Sequence, residues 1–186
     1  KEDVNIAVKA AKNAFMSFSK TSKDERMNIL KNIRKISEER FDDLADAMTT
    51  EMGAPRKMSR EAQADAAIGH LDGFISALEK HEEKIELSNT DILLKEPIGV
   101  CGLITPWNWP INQITLKVLP VIATGCTCIL KPSEHTPLSA MVYAEILDKA
   151  GVPAGVFNLV HGDGEGVGIA MSRHPDIEMM SFTGSK

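Results

Sequence analysis

The sequence predicts an α/β fold in which a helical segment precedes a parallel βαβαβ sheet. Three observations carry this reading. Over residues 3 to 86, apolar side chains recur three and four positions apart, the period of helices buried on one side. After Glu86 the pattern changes to short, near-continuous apolar runs alternating with helix-like stretches, which is how a sheet covered on both faces reads. Polar and glycine-rich groups then follow directly on three of those runs, at Lys131, Gly162 and Thr183-Gly184-Ser185.

The helical segment opens with Ala7, Ala10, Ala11, Ala14, Phe15 and Phe18 on one stripe. Ser22-Lys23-Asp24-Glu25 reads as a capping box that starts a second helix, with Met27, Leu30, Ile33 and Ile36 recurring along one side. Phe41, Leu44 and Met48 continue it or follow a kink. Met52-Gly53-Ala54-Pro55 breaks the pattern, and a third helix carries Ile68, Leu71, Ile75 and Leu78. Methionines at these spacings read as core filler.

Ile92-Leu93-Leu94 and Ile98 to Leu103 read as strands, and Ile111 to Ala123 as a helix. Cys126 to Leu130 is a strand of the kind buried on both faces. Thr136 is expected to cap the next helix, with Pro137 at its first position and Gly151 closing it. Val156 to Val160 is a strand, residues 165 to 173 a short helix, and Ile177 to Phe182 a third strand of a right-handed unit. The chain thus divides into a helical segment over 1–86, a strand segment over 87–97 leading into the core, and a βαβαβ core over 98–186. Ligands of such sheets bind beyond the carboxyl ends of the strands. Lys131, Gly162 and Thr183 all fall there.

Composition excludes some functions. Acids and bases are interspersed, the net charge is −5, and no basic stripe appears, which argues against nucleic acid or an anionic membrane as partner. No apolar run approaches a membrane span and no signal-peptide pattern is present. The three cysteines lie in apolar runs, which suits a reducing, cytoplasmic setting. The strand through Cys126-Thr127-Cys128 is expected to send its two thiols to opposite faces, where they cannot pair. His161 and His174 lack cysteine or carboxylate partners at metal-ligand spacing, so no metal is assigned. Both ends look cut, as in a piece of a longer protein.

The densest motif is Ile104-Thr105-Pro106-Trp107-Asn108-Trp109-Pro110. Prolines fix the backbone, so the Asn108 amide can be held in one direction, as a developing oxyanion requires. A packed turn with an aromatic plug reads equally well. At Lys131-Pro132-Ser133-Glu134, a carboxylate at a strand end can accept both hydroxyls of a ribose. A solvated loop with an incidental ion pair is the plainer reading. Gly162-Asp163-Gly164-Glu165-Gly166 lets the backbone turn tightly, but it is not the G-x-G-x-x-G fingerprint and can be an ordinary turn. Asp163 and Glu165 are expected to face solvent. If a helix begins at Thr183-Gly184-Ser185, its free N–H groups and the Ser185 hydroxyl form an anion site. An ordinary N-cap is the competing reading.

Together these four motifs, in this order and spacing, resemble the aldehyde dehydrogenase superfamily over most of the chain. The resemblance implies NAD as cofactor, with NADP possible, and an aldehyde as substrate. It implies that Lys131 and Glu134 bind the adenosine ribose, Glu134 favouring NAD by repelling a 2′-phosphate and the small Ser133 softening that preference. Gly162, Gly164 and Gly168 match the family's glycines, and Ser185 its pyrophosphate-binding serine. Ile104, Thr105, Pro106, Trp107, Phe182, Thr183 and Gly184 complete the implied cofactor set. Asn108 matches the asparagine that holds the thiohemiacetal oxyanion. The family's nucleophilic cysteine and its glutamate lie C-terminal to this sequence, and Cys101, Cys126 and Cys128 match neither. Trp109, Asn112, Gln113 and Leu116 match the aldehyde tunnel, where two amides suit a small or polar aldehyde. The implied whole protein is a homodimer or homotetramer. A coenzyme-A-acylating relative and a non-catalytic dinucleotide-binding or structural module remain open.

Overall fold

A computed structural model describes residues 1–185. Five helical stretches come first: α1 (Glu2–Phe18), α2 (Lys23–Glu39), α3 (Phe41–Met52), α4 (Arg56–Met58) and α5 (Asp65–Lys80). A π-helical turn, Ser59–Ala64, joins α4 to α5. Ser22 caps α2 as expected: its hydroxyl accepts from the Glu25 N–H while the Glu25 carboxylate accepts from the Ser22 N–H. Gly53, at φ 70°, ends α3 in the left-handed conformation that glycine adopts without cost.

The helices stop at Lys80, short of the expected residue 86. Lys84–Glu86 forms strand β1, antiparallel to β2 (Ile92–Leu94), as the polar and apolar alternation over Lys84 to Leu87 and Asp91 to Lys95 predicts for an exposed paired strand. The alternation of Lys84, Ile85 and Glu86 has the period of a strand, so the segment pairs with β2 rather than extending α5.

The core sheet has four parallel strands, at the four apolar runs read as strands between Ile98 and Phe182. They are β3 (Val100–Ile104), β4 (Thr127–Lys131), β5 (Phe157–Leu159) and β6 (Met179–Phe182), in spatial order β5-β4-β3-β6. The chain winds outward from β3 through α6 (Pro110–Ala123), β4 and α7 (Leu138–Lys149) to β5. It then returns through a π-helical turn, Gly164–Gly168, and α8 (Ile169–Ser172) to β6, on the other side of β3. Strand order therefore reverses between β3 and β6, which makes their carboxyl ends the topological switch point.

Both faces are covered, so β4 is buried at all five positions. On one face α6 and α7 join the earlier helices in a core built around Leu30, Leu44, Leu71, Ile114, Leu119 and Tyr143. On the other, Val4, Val8 and Ala11 of α1 pack on Val100, Ile129, Val160 and Met171. Here Gly155 (φ 83°) has to be glycine: a Cβ would stand 2.7 Å from the Ala10 carbonyl oxygen.

Two expectations need correcting. Thr136 does not cap α7: Pro137 takes the N-cap position and the Thr136 hydroxyl is buried without a partner among the described residues. The carboxylate of Glu51, from the last turn of α3, accepts instead from the N–H groups of Leu138 (2.5 Å) and Ser139. Nor do Cys126 and Cys128 face opposite sides. Two residues apart on a strand share a face, and both join Cys101 in the core beneath α6.

Candidate cofactor and active site

The ends of β4, β5 and β6, where Lys131, Gly162 and Thr183 follow, lie along one edge of the parallel sheet. Lys131 closes β4 and is 3% exposed. Its ammonium donates to the carbonyl oxygens of Gly162 (2.7 Å) and Pro132 (3.0 Å), so the loop after β5 is tied to the end of β4. Glu134 reaches back to the same ammonium at 3.5 Å, with its side chain half-exposed. Its own backbone N–H, and then Lys131, hold its carboxyl below the usual carboxylate range. The result is an accessible anion, anchored on one side and free on the other to accept hydroxyl donors. Ser133 is nearly buried and its hydroxyl oxygen accepts from the His135 N–H.

At Gly162 φ is 151°, and a Cβ would come within 2.4 Å of Val167, so a side chain is excluded there. Asp163 and Glu165 are exposed, as expected. Asp163 also caps the turn that follows, its carboxylate accepting from the Gly166 N–H at 2.6 Å. Gly164 has open space where a Cβ would stand, and Gly168 is buried against Ile104.

The switch point itself opens into a cavity of about 420 Å³ lined by Pro106, Trp107, Asn108, Gln113, Thr183, Gly184 and Ser185. Ile104 and Phe182 are register partners, and the Thr183 N–H donates to the Ile104 carbonyl, so pairing persists to the cavity's floor. Beyond it the two chains separate. Pro110 at the first position of α6 fixes where the helix begins. Asn108 is exposed beside that start, and no hydrogen bond among the described residues holds its amide. Thr105 is buried, with its hydroxyl unpartnered among the described residues.

The four tunnel candidates do not share one surface. Gln113 faces the cavity, whereas Leu116 lines a separate groove between α6 and the sheet. The Asn112 amide oxygen lies 2.7 Å from His70 Nε2 on α5. Trp109 is half-buried at the N-cap of α6. His70 is invisible to local spacing, because its partner lies 42 residues away. Lys117 is a further residue that sequence reasoning misses. Its ammonium donates to Ser181 Oγ at 2.6 Å, and burial lowers its pKa. A lone lysine between Leu116 and Val118 is the signal available.

Comparison with known proteins agrees with this geometry. The family model described as "Aldehyde dehydrogenase family" matches residues 1–186. A 3-succinoylsemialdehyde-pyridine dehydrogenase from a Pseudomonas species is 49% identical over 185 residues, covering 99% of this chain and 39% of that protein. The crystal structure of an aldehyde dehydrogenase from Bartonella henselae superposes with a TM-score of 0.96 at 49% identity, over 99% of this chain and 39% of that one. A mutant of aldehyde dehydrogenase C from Pseudomonas syringae, complexed with NAD+ and octanal, superposes at 0.94 with 46% identity, over 96% and 37%. This chain thus spans about two-fifths of the length of such relatives. With the switch-point sheet, the Lys131–Glu134 pair and a match along its whole length, the chain belongs to the aldehyde dehydrogenase family.

Proposed function

We propose that this chain is the cofactor-binding part of an NAD-dependent aldehyde dehydrogenase that oxidises an aldehyde to a carboxylic acid. The observation that carries the proposal is the half-exposed Glu134 carboxylate, anchored by buried Lys131 at the carboxyl edge of a parallel sheet. A carboxylate in that position suits two vicinal ribose hydroxyls and disfavours a 2′-phosphate. The donor set fits a dinucleotide in other respects. Residues Thr183, Gly184 and Ser185 line a cavity that also holds Ile104's neighbours Pro106 and Trp107, and Gly162, Gly164 and Gly168 are proposed to lie along the dinucleotide's path. Ser133, Ile104, Thr105 and Phe182 belong to the surrounding wall. NAD, when bound, supplies the hydride acceptor.

Asn108 lines the same cavity as Ser185. Its amide N–H is the group proposed to donate to the oxygen of an aldehyde as negative charge develops there. Of the tunnel candidates Trp109, Asn112, Gln113 and Leu116, Gln113 alone is among the residues that line this cavity. The preference for a small or polar aldehyde therefore rests on Gln113, since the Asn112 oxygen is engaged by His70. The octanal complex of the P. syringae relative concerns an alkyl substrate, so comparing kcat/KM for a short hydroxylated aldehyde and a long straight-chain one is the direct check. Faster turnover of the long chain removes the preference. The whole protein is proposed to be a cytoplasmic homo-oligomer.

The function is tested by incubating the full-length protein with NAD and an aldehyde, and following NADH and the product. Free carboxylic acid in stoichiometric yield supports the proposal. NADH formed only with coenzyme A, together with a thioester, would replace it with acylating chemistry. NAD binding without turnover of any aldehyde would leave a non-catalytic module.

A further inference from the structure

Lys117 is a half-buried lysine to which the fold supplies no anion among the described residues. Its hydrogen-bond partner is Ser181 of β6, with 2.6 Å between Nζ and Oγ. An ammonium half out of water, with a neutral hydroxyl as its acceptor, is poorly solvated. Burial accordingly favours the neutral amine. A neutral lysine amine is a nucleophile, and a carbonyl carbon is the electrophile it takes.

The position of the pair follows from the periods of α6 and β6. Gln113 of α6 and Thr183, just past β6, line the switch-point cavity. Lys117 is four residues further along α6, on the same helix face and roughly 6 Å down the axis. Ser181 is two residues back from Thr183, on the same side of the sheet. The two therefore meet one helical turn from the cavity, where they line a groove of about 220 Å³ between α6 and the sheet. Leu103, Leu116, Pro120 and Met179 give the groove apolar walls, which suit an apolar tail better than water. Lys117 is the only amine among the lining residues, and the two thiols there, Cys101 and Cys126, are 1% and 3% exposed.

We propose that Lys117 captures a small aldehyde as a Schiff base in this groove. Neutral Nζ attacks the carbonyl carbon, a C–N bond forms, and the carbonyl π pair moves to oxygen. The Ser181 hydroxyl, hydrogen-bonded to Nζ, relays a proton from nitrogen to that oxygen, giving a carbinolamine. The nitrogen lone pair then expels the hydroxyl group, which takes the second nitrogen proton and leaves as water. One aldehyde and one amine give one imine and one water, with no net oxidation or reduction. The choice of an aldehyde rests on the proposed dehydrogenase function, whereas the amine chemistry requires only a carbonyl compound.

The test incubates the full-length protein with butanal in the absence of NAD, adds sodium cyanoborohydride to reduce any imine, and maps modified lysines by mass spectrometry. A butyl group on Lys117 is expected to accumulate severalfold faster than on Lys57, a surface amine whose side chain is 83% exposed. Ser181→Ala should slow labelling at Lys117 severalfold and leave Lys57 unchanged, while Lys117→Arg should lose that adduct alone. Circular dichroism checks the folding of both variants, and the comparison of Lys117 with Lys57 in the parent needs neither. No butyl group on Lys117 in the folded parent, or labelling there no faster than on Lys57, would overturn the proposal. Equal labelling of Lys117 in the parent and in folded Ser181→Ala would overturn the relay. Without NAD the labelling is independent of turnover, so its failure is distinguishable from a failure of the dehydrogenase function, which NADH formation reads.

Discussion

Asn108 is the residue on which turnover is expected to depend most among those described. It stands exposed at the mouth of the switch-point cavity, with Ser185 opposite across β3 and β6. Losing one oxyanion donor typically costs roughly 3 kcal/mol, or about two orders of magnitude in rate. Asn108→Ala in the full-length protein should lower kcat by that factor and leave NAD affinity nearly unchanged. Unchanged kcat, with chemistry shown to limit the rate, would make Asn108 a turn residue. Residues of this kind are legible in the sequence, because a proline-bracketed amide and a lysine at a strand end are unusual locally. His70 and Lys117 are not. Each joins residues brought together only by packing, and the facing of Cys126 and Cys128 is misread when alternation is applied to positions two apart.

At the scale of elements, strand and helix identities follow from period and punctuation, down to the capping box of α2 and the glycine closing α3. What local pattern does not show is the cap of α7, supplied by Glu51 from the end of α3. Burial raises the Glu51 pKa above 4.5, against the N–H donors that lower it. The folded protein therefore holds a proton that the unfolded chain has released in the window just above pH 4.5. There stability falls as pH rises. Glu51→Gln keeps a carbonyl acceptor for the Leu138 N–H and has no proton to lose. Relative to the parent, its Tm should improve as pH is raised through that window. A Tm difference constant with pH would contradict this assignment. The β1–β2 hairpin is a second element with a consequence. Leu87, Ile92 and Leu94 are 66%, 53% and 59% exposed, and exposed apolar strands invite pairing with another subunit. Sedimentation of the full-length protein should show an oligomer at micromolar concentration, and a monomer alone would count against it.

For the molecule as a whole, the order β5-β4-β3-β6 places the carboxyl ends of four parallel strands along one edge. The apolar runs announce that sheet, and the polar residues after them announce the edge. The reversal of order between β3 and β6 comes only with the coordinates, since pairing partners are not written in local composition. The central claim is that this edge holds NAD by its ribose through Glu134. It is tested most directly by titrating NAD and NADP into the full-length protein and into Glu134→Gln. Hydrogen bonds to a charged group contribute roughly 1.5–3 kcal/mol, so NAD affinity should fall about tenfold to a hundredfold, while NADP affinity falls less or rises. Equal NAD affinity and an unchanged preference between the two cofactors would contradict the account.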